Sequence, residues 1–457
     1  MDVLLVHPPR VFGSKRLEAA KTYRMPLGLL YTAAALEKEG FSVRVIDAFA
    51  ERMTLDNVLD AVSRERPKVV GISATTLQTP AAVQLGKSLR GQDTVVCLGG
   101  PHVSADPLFI KRMPFFDFAL AGEAEISFPR LVKDVLNGKT VKGVKAGLMV
   151  ENLDSLPFPA RHLLDYKNYL IEEHKYNFIN LIANRGCPFN CVYCSSPVSR
   201  RRVRYRSPKS VVDEIEACTK ERKVSLYMFE DDSLTLSRKQ VFEMCNELKK
   251  RGLVRDWICE TRIDLVDEAL LKEMHEAGCA EISFGIESGN ERIRNQIVKK
   301  NIKQADIYRV FKMCKNIGIK TDGYFMMGFP TETEKELEDT VQLCTSLDAT
   351  IFGIHLTVPM PGAEIYRQAI EEGIMDKNHW DRYAKGEEKD VPVYVPKGIT
   401  LAKIEEARKK AYRKFYFTPK FILKRLMHDL KSPHLLKRDF LLALSIYRFG
   451  KTATGRD

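Results

Sequence analysis

The stretch Asn184-Arg185-Gly186-Cys187-Pro188-Phe189-Asn190-Cys191-Val192-Tyr193-Cys194 places three cysteines at a C-x3-C-x2-C spacing. It directly follows an apolar run, residues 178–183, that predicts a strand. Gly186 and Pro188 favour a turn, so one loop can wrap three thiolates around a single inorganic cluster. A cubane [4Fe–4S] cluster has four irons, and three cysteines therefore leave one iron open to a ligand from outside the protein.

This pattern resembles the radical S-adenosylmethionine (radical SAM) family, in which the amino and carboxylate groups of SAM bind the open iron. The resemblance implies Cys187, Cys191 and Cys194 as the metal ligands, and it implies no catalytic side chain beyond them. Two alternatives stay open for the loop alone. One is a zinc site completed by a distant Cys or His, and the other is a chance grouping of reduced cysteines.

The composition sets bounds on the class of protein. A chain of 457 residues with 44% hydrophobic content is long enough for two or three domains. Its longest apolar runs, such as residues 440–447, fall far short of the roughly 20 residues that span a bilayer. No basic segment precedes the first apolar residues, as a signal peptide would require. Ten cysteines, three of them clustered, favour a reducing compartment, and we expect a cytoplasmic protein.

In residues 1–140, strand-like apolar runs alternate with helical patterns. Five such units follow one another, with strands predicted at 3–6, 43–46, 69–72, 95–98 and 118–120. The alternation predicts an α/β domain with an open, doubly wound parallel sheet of the Rossmann-like kind. Such sheets bind ligands at the carboxyl ends of their strands, so we expect a cofactor near the loops after Val6, Ile72 and Leu98.

These loops carry small and polar residues. Ser73 and Thr75 offer hydroxyl groups, and Gly99 and Gly100 let the backbone approach a bulky ligand. The segment resembles the cobalamin-binding domain family, in which a Ser-x-Thr/Leu stretch and a later Gly-Gly line the nucleotide tail. The resemblance implies Ser73, Thr75, Leu77, Gly99 and Gly100 as cobalamin contacts. An ordinary Rossmann-like domain with turn glycines is the alternative.

One motif of that family is absent. In the common Asp-x-His-x-x-Gly motif the His ligates cobalt from below. Aligning the motif on His7 puts Leu5 at the Asp position and Arg10 at the Gly position. We therefore expect cobalamin without a protein His ligand, with His7 as a strand-end residue and His102 lining the site without coordinating cobalt.

Beyond a proline-interrupted linker at residues 141–177, βα units return in residues 178–385. Strands are predicted at 178–183, 226–229, 257–260, 281–285, 321–326 and 350–357. Six such units predict a partial (β/α)6 barrel, whose chemistry would lie at the carboxyl ends of its strands.

Five of these strand ends carry short motifs that resemble the SAM-binding motifs of the radical SAM family. The implied contacts are Glu230, Asp231 and Asp232 for the SAM amino group, Arg262 for its carboxylate, Glu287 and Ser288 for the ribose, Gly328 and Glu332 for the methionine part and adenine, and Pro359 for adenine. Turn chemistry explains any one of them equally well. Five in the family's order make coincidence the weaker explanation.

Basic residues concentrate in two places. The run Arg200, Arg201, Arg202, Arg204 and Arg206 predicts either the mouth of a site for an anionic substrate or SAM, or a solvated basic loop. In the predicted C-terminal helical segment, 386–457, residues 401–457 hold 15 Lys and Arg against 5 Asp and Glu, so they supply +10 of the net charge of +12. Helices are predicted at 401–416, 419–430 and 435–449. We favour packing on the barrel over peripheral contact with anionic membrane lipid.

The two resemblances together imply a cobalamin-dependent radical SAM enzyme with a [4Fe–4S] cluster, SAM, cobalamin and a ferredoxin- or flavodoxin-type electron donor. The implied reaction is methyl transfer to an unactivated carbon or a phosphinate centre, through a 5′-deoxyadenosyl radical and methylcobalamin. The same layout serves oxidative cyclases and other bond-forming enzymes, and a non-catalytic cobalamin or SAM sensor is the alternative from another class. We expect a small-molecule or lipid-like substrate and no nucleic-acid partner, since no RNA-recognition motif is found.

Overall fold

The structure is a computed structural model that describes residues 1–9, 24–171, 176–195, 201–418 and 421–422. In this part of the chain the strands are β1 (Val3–His7), β2 (Val43–Asp47), β3 (Val69–Ser73), β4 (Val95–Gly99), β5 (Phe118–Ala121), β6 (Gly143–Ala146), β7 (Leu170–Ile171), β8 (Tyr176–Leu181), β9 (Asn184–Arg185), β10 (Arg204–Tyr205), β11 (Leu226–Phe229), β12 (Asp256–Thr261), β13 (Cys279–Glu287), β14 (Lys320–Met327) and β15 (Ile351–Leu356).

The α-helices are α1 (Leu27–Lys38), α2 (Leu55–Glu65), α3 (Thr79–Leu89), α4 (Pro101–Ala105), α5 (Phe109–Arg112), α6 (Ser127–Leu136), α7 (Pro208–Glu221), α8 (Arg238–Lys250), α9 (Glu268–Glu276), α10 (Gln304–Ile317), α11 (Glu334–Ser346), α12 (Glu364–Glu371), α13 (His379–Lys385) and α14 (Leu401–Tyr416). Within the described ranges, no helix is both long enough and apolar enough to cross a membrane.

The first sheet contains six parallel strands in the order β2-β1-β3-β4-β5-β6. Strands β1 and β3 are almost entirely buried because helices cover both faces of the sheet, which explains their continuous apolar sequence. The prediction of a doubly wound parallel sheet is confirmed. Strand β6 falls in the residues that the sequence predicts to be a linker. Its pattern of mostly exposed residues gives it no apolar signature.

The second sheet has the order β15-β14-β13-β12-β11-β8-β7. Its first six strands are parallel, in agreement with the predicted partial barrel, and the two-residue strand β7 adds antiparallel to β8. Fully buried aromatic side chains, among them Trp257, Phe284 and Phe325, fill the core of this half. The carboxyl ends of β8 and β11–β14 therefore meet at one edge, directly beside the cysteine loop.

Helix α14 packs on strand β15. The rings of Phe352 and Phe415 meet edge to face at 4.7 Å, and the Tyr412 hydroxyl accepts a hydrogen bond from the Ile354 backbone N–H at 3.0 Å. The Tyr416 hydroxyl lies 3.3 Å from the backbone nitrogen of Phe352 and 3.1 Å from its carbonyl oxygen. For residues 401–416 the structure thus shows the packing that the sequence favours. The helices predicted at 419–430 and 435–449 lie outside the described residues.

Buried charges join the two halves beside the cysteine loop. Arg204 donates to both carboxylate oxygens of Glu123, at 2.8 and 2.6 Å, and to the Val150 carbonyl at 2.6 Å. Arg206 and Arg161 each donate to Glu214, which is completely buried, at 2.5 Å. These contacts anchor the chain on either side of the loop.

Both interpretations of the arginine run are therefore wrong for Arg204 and Arg206, which are 6% and 5% exposed. Strand alternation in β10 turns Arg204 inward and leaves Tyr205 exposed. Arg201 and Arg202 are exposed, and Arg202 pairs with the exposed Glu151. Arg200 lies outside the described residues. Arg204 and Arg206 are thus structural, whereas the exposed Arg201 and Arg202 agree with the predicted solvated loop.

Candidate functional site

A cavity of about 490 Å³ lies between the carboxyl edge of the first sheet and the cysteine loop. Its lining comes from both halves of the chain and includes Ser73, Gly99, Gly100 and Pro101 on one side, and Arg185, Gly186, Cys194, Glu230 and Asp232 on the other. Most of the exposed lining surface is apolar. The structure thus brings three of the five predicted cobalamin contacts and part of the predicted cluster loop to one shared space.

On the first-sheet side, Gly100 lets the backbone close against the end of β3. Its φ is +93° and its ψ is −171°, a conformation that L side chains rarely adopt. A Cβ atom at this position would lie 2.7 Å from Ser73 Oγ and 2.8 Å from the Ala74 backbone nitrogen. Glycine is therefore required here for the shape of the cavity wall.

Two of the five predicted cobalamin contacts do not line the cavity. The Thr75 hydroxyl donates to Gln78 Oε1 at 2.9 Å, within the first turn after β3. Leu77 packs against a buried apolar group that includes Val192 of the cysteine loop. Ser73, Gly99 and Gly100 remain as the residues with a direct place in the wall.

His7 lies at the end of β1, with both ring nitrogens engaged. Its Nε2 is 2.7 Å from Gln78 Nε2, and because an amide nitrogen donates, His7 Nε2 accepts. The other nitrogen, Nδ1, therefore carries the proton and donates to Asp47 Oδ1 at 2.8 Å. The absence of a histidine ligand on cobalt stays a prediction.

His102 is placed differently from the sequence expectation. It is 1% exposed and packs edge to face on Phe109, with ring centroids 4.3 Å apart. Burial lowers the pKa of His102 to about 3. The expectation that His102 lines the site is wrong, because the short helix α4 turns its side chain into the core while its neighbour Pro101 borders the cavity.

The loop after β5, Gly122-Glu123-Ala124-Glu125, also lines the cavity and was missed from the sequence. Glu123 and Glu125 are 4% and 7% exposed, and Glu125 Oε1 accepts a hydrogen bond from Arg185 at 2.6 Å. Arg185 belongs to the cysteine loop and also lies over the ring of Tyr31, 5.0 Å from its centroid. The signal for this loop in the sequence was the pair of glutamates directly after the fifth predicted strand, but they were not predicted as site residues.

The cysteine loop is held at its start by Asp231. The Asp231 carboxylate accepts hydrogen bonds from the backbone N–H groups of Ala183, at 3.0 and 3.2 Å, and Asn184, at 2.5 Å. Burial raises the pKa of Asp231 to about 7. These contacts make Asp231 a support of the loop rather than a ligand for the SAM amino group, which was its predicted role.

The three cysteines differ in exposure. Cys191 is 8% exposed, and Cys187 and Cys194 are partly exposed. Burial raises the pKa of the Cys187 and Cys191 thiols. Among the described residues, no group of three or more His, Cys, Asp or Glu side chains is arranged around a single metal ion. A cubane differs from a single ion, because it takes one thiolate on each of three irons. The assignment of the three ligands stays a prediction.

Arg262 is clamped over the cysteine loop. Its guanidinium carbon lies 3.6 Å from the centroid of the Phe189 ring. Arg262 Nε and Nη2 donate to the two carboxylate oxygens of Asp264, each at 2.9 Å. Its Nη2 also donates to the Lys300 carbonyl at 2.6 Å. The buried Nη1 has no hydrogen-bond partner among the described residues, so this donor is available to a ligand.

Acidic side chains flank the loop at the ends of β11 and β12. Glu230 Oε2 accepts from Arg24 at 2.6 Å, and its buried Oε1 has no partner among the described residues. Burial raises the pKa of the Glu230, Asp232 and Glu260 carboxyl groups. Glu230 and Asp232 border the cavity, which fits their predicted role toward an ammonium group.

The remaining predicted SAM contacts shape turns. Ser288 is fully buried and within 3.3 Å of Thr340 Oγ1, so it supports the turn after β13. Glu332 Oε2 accepts from the backbone N–H groups of Gly328 and Phe329, at 2.7 and 3.0 Å, and burial raises the pKa of Glu332 to about 7. The Pro359 carbonyl accepts from the Trp380 indole at 3.0 Å. Ser288 and Pro359 therefore support turns, whereas Glu332 Oε1 is buried without a partner among the described residues.

The donor and acceptor groups fit the predicted cofactors. Within the described ranges, Arg262 Nη1 is a buried donor without a partner and Glu230 Oε1 a buried acceptor without one. This pair suits the carboxylate and ammonium groups of an amino acid moiety. On the opposite wall, the absence of a side chain at Gly100 lets the backbone close against Ser73 and Ala74 at the carboxyl edge of the first sheet, where sheets of this kind bind ligands.

Comparison with known proteins agrees with this arrangement. The family described as the radical SAM superfamily matches residues 181–344, and the B12 binding domain matches residues 15–132. The chain is 31% identical to the uncharacterized methyltransferase PH0819 of Pyrococcus horikoshii, over 98% of this chain and 99% of the relative. It is 28% identical to the anaerobic magnesium-protoporphyrin IX monomethyl ester cyclase of Rubrivivax gelatinosus, over 92% of this chain and 78% of the relative.

A solved structure shares the fold. It is the radical S-adenosylmethionine methyltransferase TsrM from Kitasatospora setae with cobalamin and a [4Fe–4S] cluster bound. The TM-score is 0.69 at 19% identity, over 89% of this chain and 91% of that chain. At this identity the likeness concerns the arrangement of the two sheets and their helices.

Proposed function

Since the chain belongs to the radical SAM enzymes that carry a B12-binding domain, we propose that it transfers a methyl group to an unactivated carbon or a phosphinate centre of a small molecule. The observation that carries the proposal is the shared cavity, in which Cys194 and Gly100 line the same space. Two cofactors bound at these two walls would face each other across it.

In this proposal Cys187, Cys191 and Cys194 hold the [4Fe–4S] cluster and leave one iron for SAM. When bound, the cluster supplies the electron for reductive cleavage of SAM and the corrinoid carries the methyl group. Arg262 binds the SAM carboxylate through Nη1, which has no partner in the described part of the chain, and Glu230 with Asp232 faces the ammonium group.

The corrinoid would lie against Ser73, Gly99 and Gly100 at the carboxyl edge of the first sheet. Most of the exposed lining between the two walls is apolar, which would disfavour water in the space where a radical would be handled. The chain's own task is to bind and orient these groups, and no side-chain acid or base is assigned.

Oxidative cyclisation is a second candidate function, because one of the relatives, with 78% of its length matched, is a cyclase. The two candidates share the radical step and differ in the fate of SAM. Methyl transfer converts one SAM to S-adenosylhomocysteine for each methyl group delivered, whereas cyclisation forms 5′-deoxyadenosine without it. The ratio of these two products therefore separates the candidates.

The test begins with anaerobic reconstitution of the full chain with iron, sulfide and hydroxocobalamin. We expect iron and sulfide in the protein, corrinoid retained through gel filtration, and 5′-deoxyadenosine together with S-adenosylhomocysteine after addition of SAM and dithionite. Zinc without iron and sulfide would contradict the proposal, as would the absence of both SAM-derived products.

Single Ala variants of Cys187, Cys191 and Cys194 supply the site-specific arm of the test. Each is expected to lose the cluster absorbance and SAM cleavage. Cys245→Ala serves as the matched control. Cys245 is a residue of helix α8 that is buried in the hydrophobic core and lies outside the cysteine loop. Cleavage retained in a loop variant would show that the cluster is held elsewhere.

A further inference from the structure

The short segment 298–301 lies against the underside of the cysteine loop. The Val298 carbonyl accepts a hydrogen bond from the Val192 backbone N–H at 3.3 Å. Lys299 and Asn301 have φ values of +65° and +55°, in the left-handed region that non-glycine residues seldom occupy. Strain of this kind persists where surrounding contacts hold the backbone in place, and it concentrates at functional sites.

Lys300, at the centre of this segment, makes contacts with two predicted SAM-site residues. Its side chain is 5% exposed, and its Nζ donates to Glu287 Oε1 at 2.6 Å. Its backbone carbonyl accepts from Arg262 Nη2 at 2.6 Å. Lys300 thus fixes the Glu287 carboxylate through its side chain and the Arg262 guanidinium through its backbone carbonyl.

The same carboxylate oxygen also holds the cysteine loop. Tyr193, which lies between Cys191 and Cys194, donates its hydroxyl to Glu287 Oε1 at 2.6 Å. Glu287 is 4% exposed and has a φ of +70°. Because Lys300 Nζ and the Tyr193 hydroxyl both donate to Glu287 Oε1, the charge-assisted bond from Lys300 fixes the oxygen that accepts from the loop. Lys300 therefore holds Glu287 in place as the acceptor for Tyr193.

The backbone leaves room for this arrangement at Gly285. A Cβ atom there would lie 2.6 Å from both Glu287 Oε1 and Lys300 Nζ. Any other residue at 285 would displace the ion pair, so the glycine in β13 and the ion pair depend on each other.

We propose that Lys300 is a positioning residue for SAM binding, which acts by holding Glu287 as the acceptor for Tyr193 and thereby sets the cysteine loop against Arg262. The inference deepens the proposed function and rests on it. Nothing in the motif pattern of the sequence singles out Lys300, because it follows the end of β13 by 13 residues.

Lys300→Met tests the proposal, because methionine has a similar length and lacks the charge. The backbone carbonyl contact with Arg262 is retained, so we expect cluster assembly to continue. In the anaerobically reconstituted full chain, Lys300→Met should bind SAM about tenfold more weakly than the wild type, equivalent to about 1.4 kcal/mol. The change that SAM produces in the EPR spectrum of the reduced cluster should also be lost or reduced.

Two further variants define the control and the rescue. Lys300→Arg keeps the cation and should bind SAM within about threefold of the wild type, a difference well under the 1.4 kcal/mol of a tenfold change. Lys299→Met removes the adjacent lysine charge, which pairs with Glu364 at 2.6 Å and is 40% exposed. It should leave SAM affinity and the EPR change unaltered.

Equal SAM affinity in the wild type and Lys300→Met, or equal losses in Lys299→Met and Lys300→Met, would overturn the inference. If Lys300→Met does not fold, Tyr193→Phe decides, since it removes one hydroxyl and leaves the ion pair intact. Unaltered SAM affinity in Tyr193→Phe would then refute the proposal. A wild-type protein that binds no SAM would refute the proposed function itself, so the two failures are distinguishable.

Discussion

Replacing Gly100 with alanine should weaken corrinoid binding at least tenfold while leaving most of the fold intact, an effect of about 1.4 kcal/mol or more. Gly100 forms the turn between β4 and α4, and its φ of +93° with ψ near 180° belongs to a region used almost only by glycine. An alanine there costs about 1–3 kcal/mol in backbone strain.

Steric overlap adds to that strain. The new Cβ would stand 2.7 Å from Ser73 Oγ and 2.8 Å from the Ala74 nitrogen, whereas carbon atoms make favourable contacts at about 3.5–4.0 Å. The serine hydroxyl can rotate away, but the Ala74 N–H is held by its hydrogen bond to the Gly99 carbonyl at 3.1 Å. The loop must therefore move, and overpacking of this kind costs about 1–3 kcal/mol more.

Because the displaced loop is a wall of the cavity, we expect at least a tenfold weaker binding of hydroxocobalamin, or about 1.4 kcal/mol. Titration followed by corrinoid absorbance measures this directly, and thermal unfolding measures the strain. Gly91→Ala is the matched control: Gly91 also has a positive φ, +82°, but a Cβ there meets no atom of the described residues within 4 Å. Gly91→Ala should lower the melting temperature and keep corrinoid affinity. Wild-type affinity in Gly100→Ala would refute the reasoning.

Two further predictions concern buried carboxylates. Glu123→Gln leaves Arg204 buried without a counter-charge and should reduce the free energy of unfolding by about 3–5 kcal/mol, as measured by denaturant unfolding. Glu151→Gln, at the exposed pair with Arg202, should change it by less than about 1 kcal/mol. The pKa of Glu332 is raised from 4.5 to about 7, so the folded state retains a proton that the unfolded chain releases. The free energy of unfolding should therefore fall as the pH rises from about 4.5 to 7. Glu332→Gln cannot ionise, so its melting temperature should fall less steeply over that pH range. Equal dependence of the melting temperature on pH in the wild type and the variant would contradict the raised pKa of Glu332.

The parts of the fold that could be predicted from the sequence are those with a local signature. Strands β1 and β3 are covered on both faces and therefore consist of continuous apolar runs. Strand β6 is mostly exposed, so its residues lack that pattern and were predicted as part of a linker.

The residues of the candidate site also divide into those with a local signature in the sequence and those without one. Gly100 and Glu230 were predicted because each directly follows a strand, at the edge where parallel sheets bind ligands. Arg204 was misjudged because its partner, Glu123, is 81 residues away, and only the folded chain brings them together. Asp231 stands between two residues that border the cavity, and strand-end alternation turns its carboxylate back to the Ala183 and Asn184 amides. Sequence position alone does not distinguish these orientations.

Helix α14 protects the chain against aggregation. Strand β15 is the last strand of its sheet, and such a strand offers free backbone N–H and C=O groups to any other extended chain. Tyr412 and Tyr416 occupy these groups at Ile354 and Phe352 with side-chain hydroxyls. Without the helix, the same groups would be a template for strand addition between molecules, so a shortened chain that ends before residue 401 would be prone to aggregate even with every residue of the cavity in place.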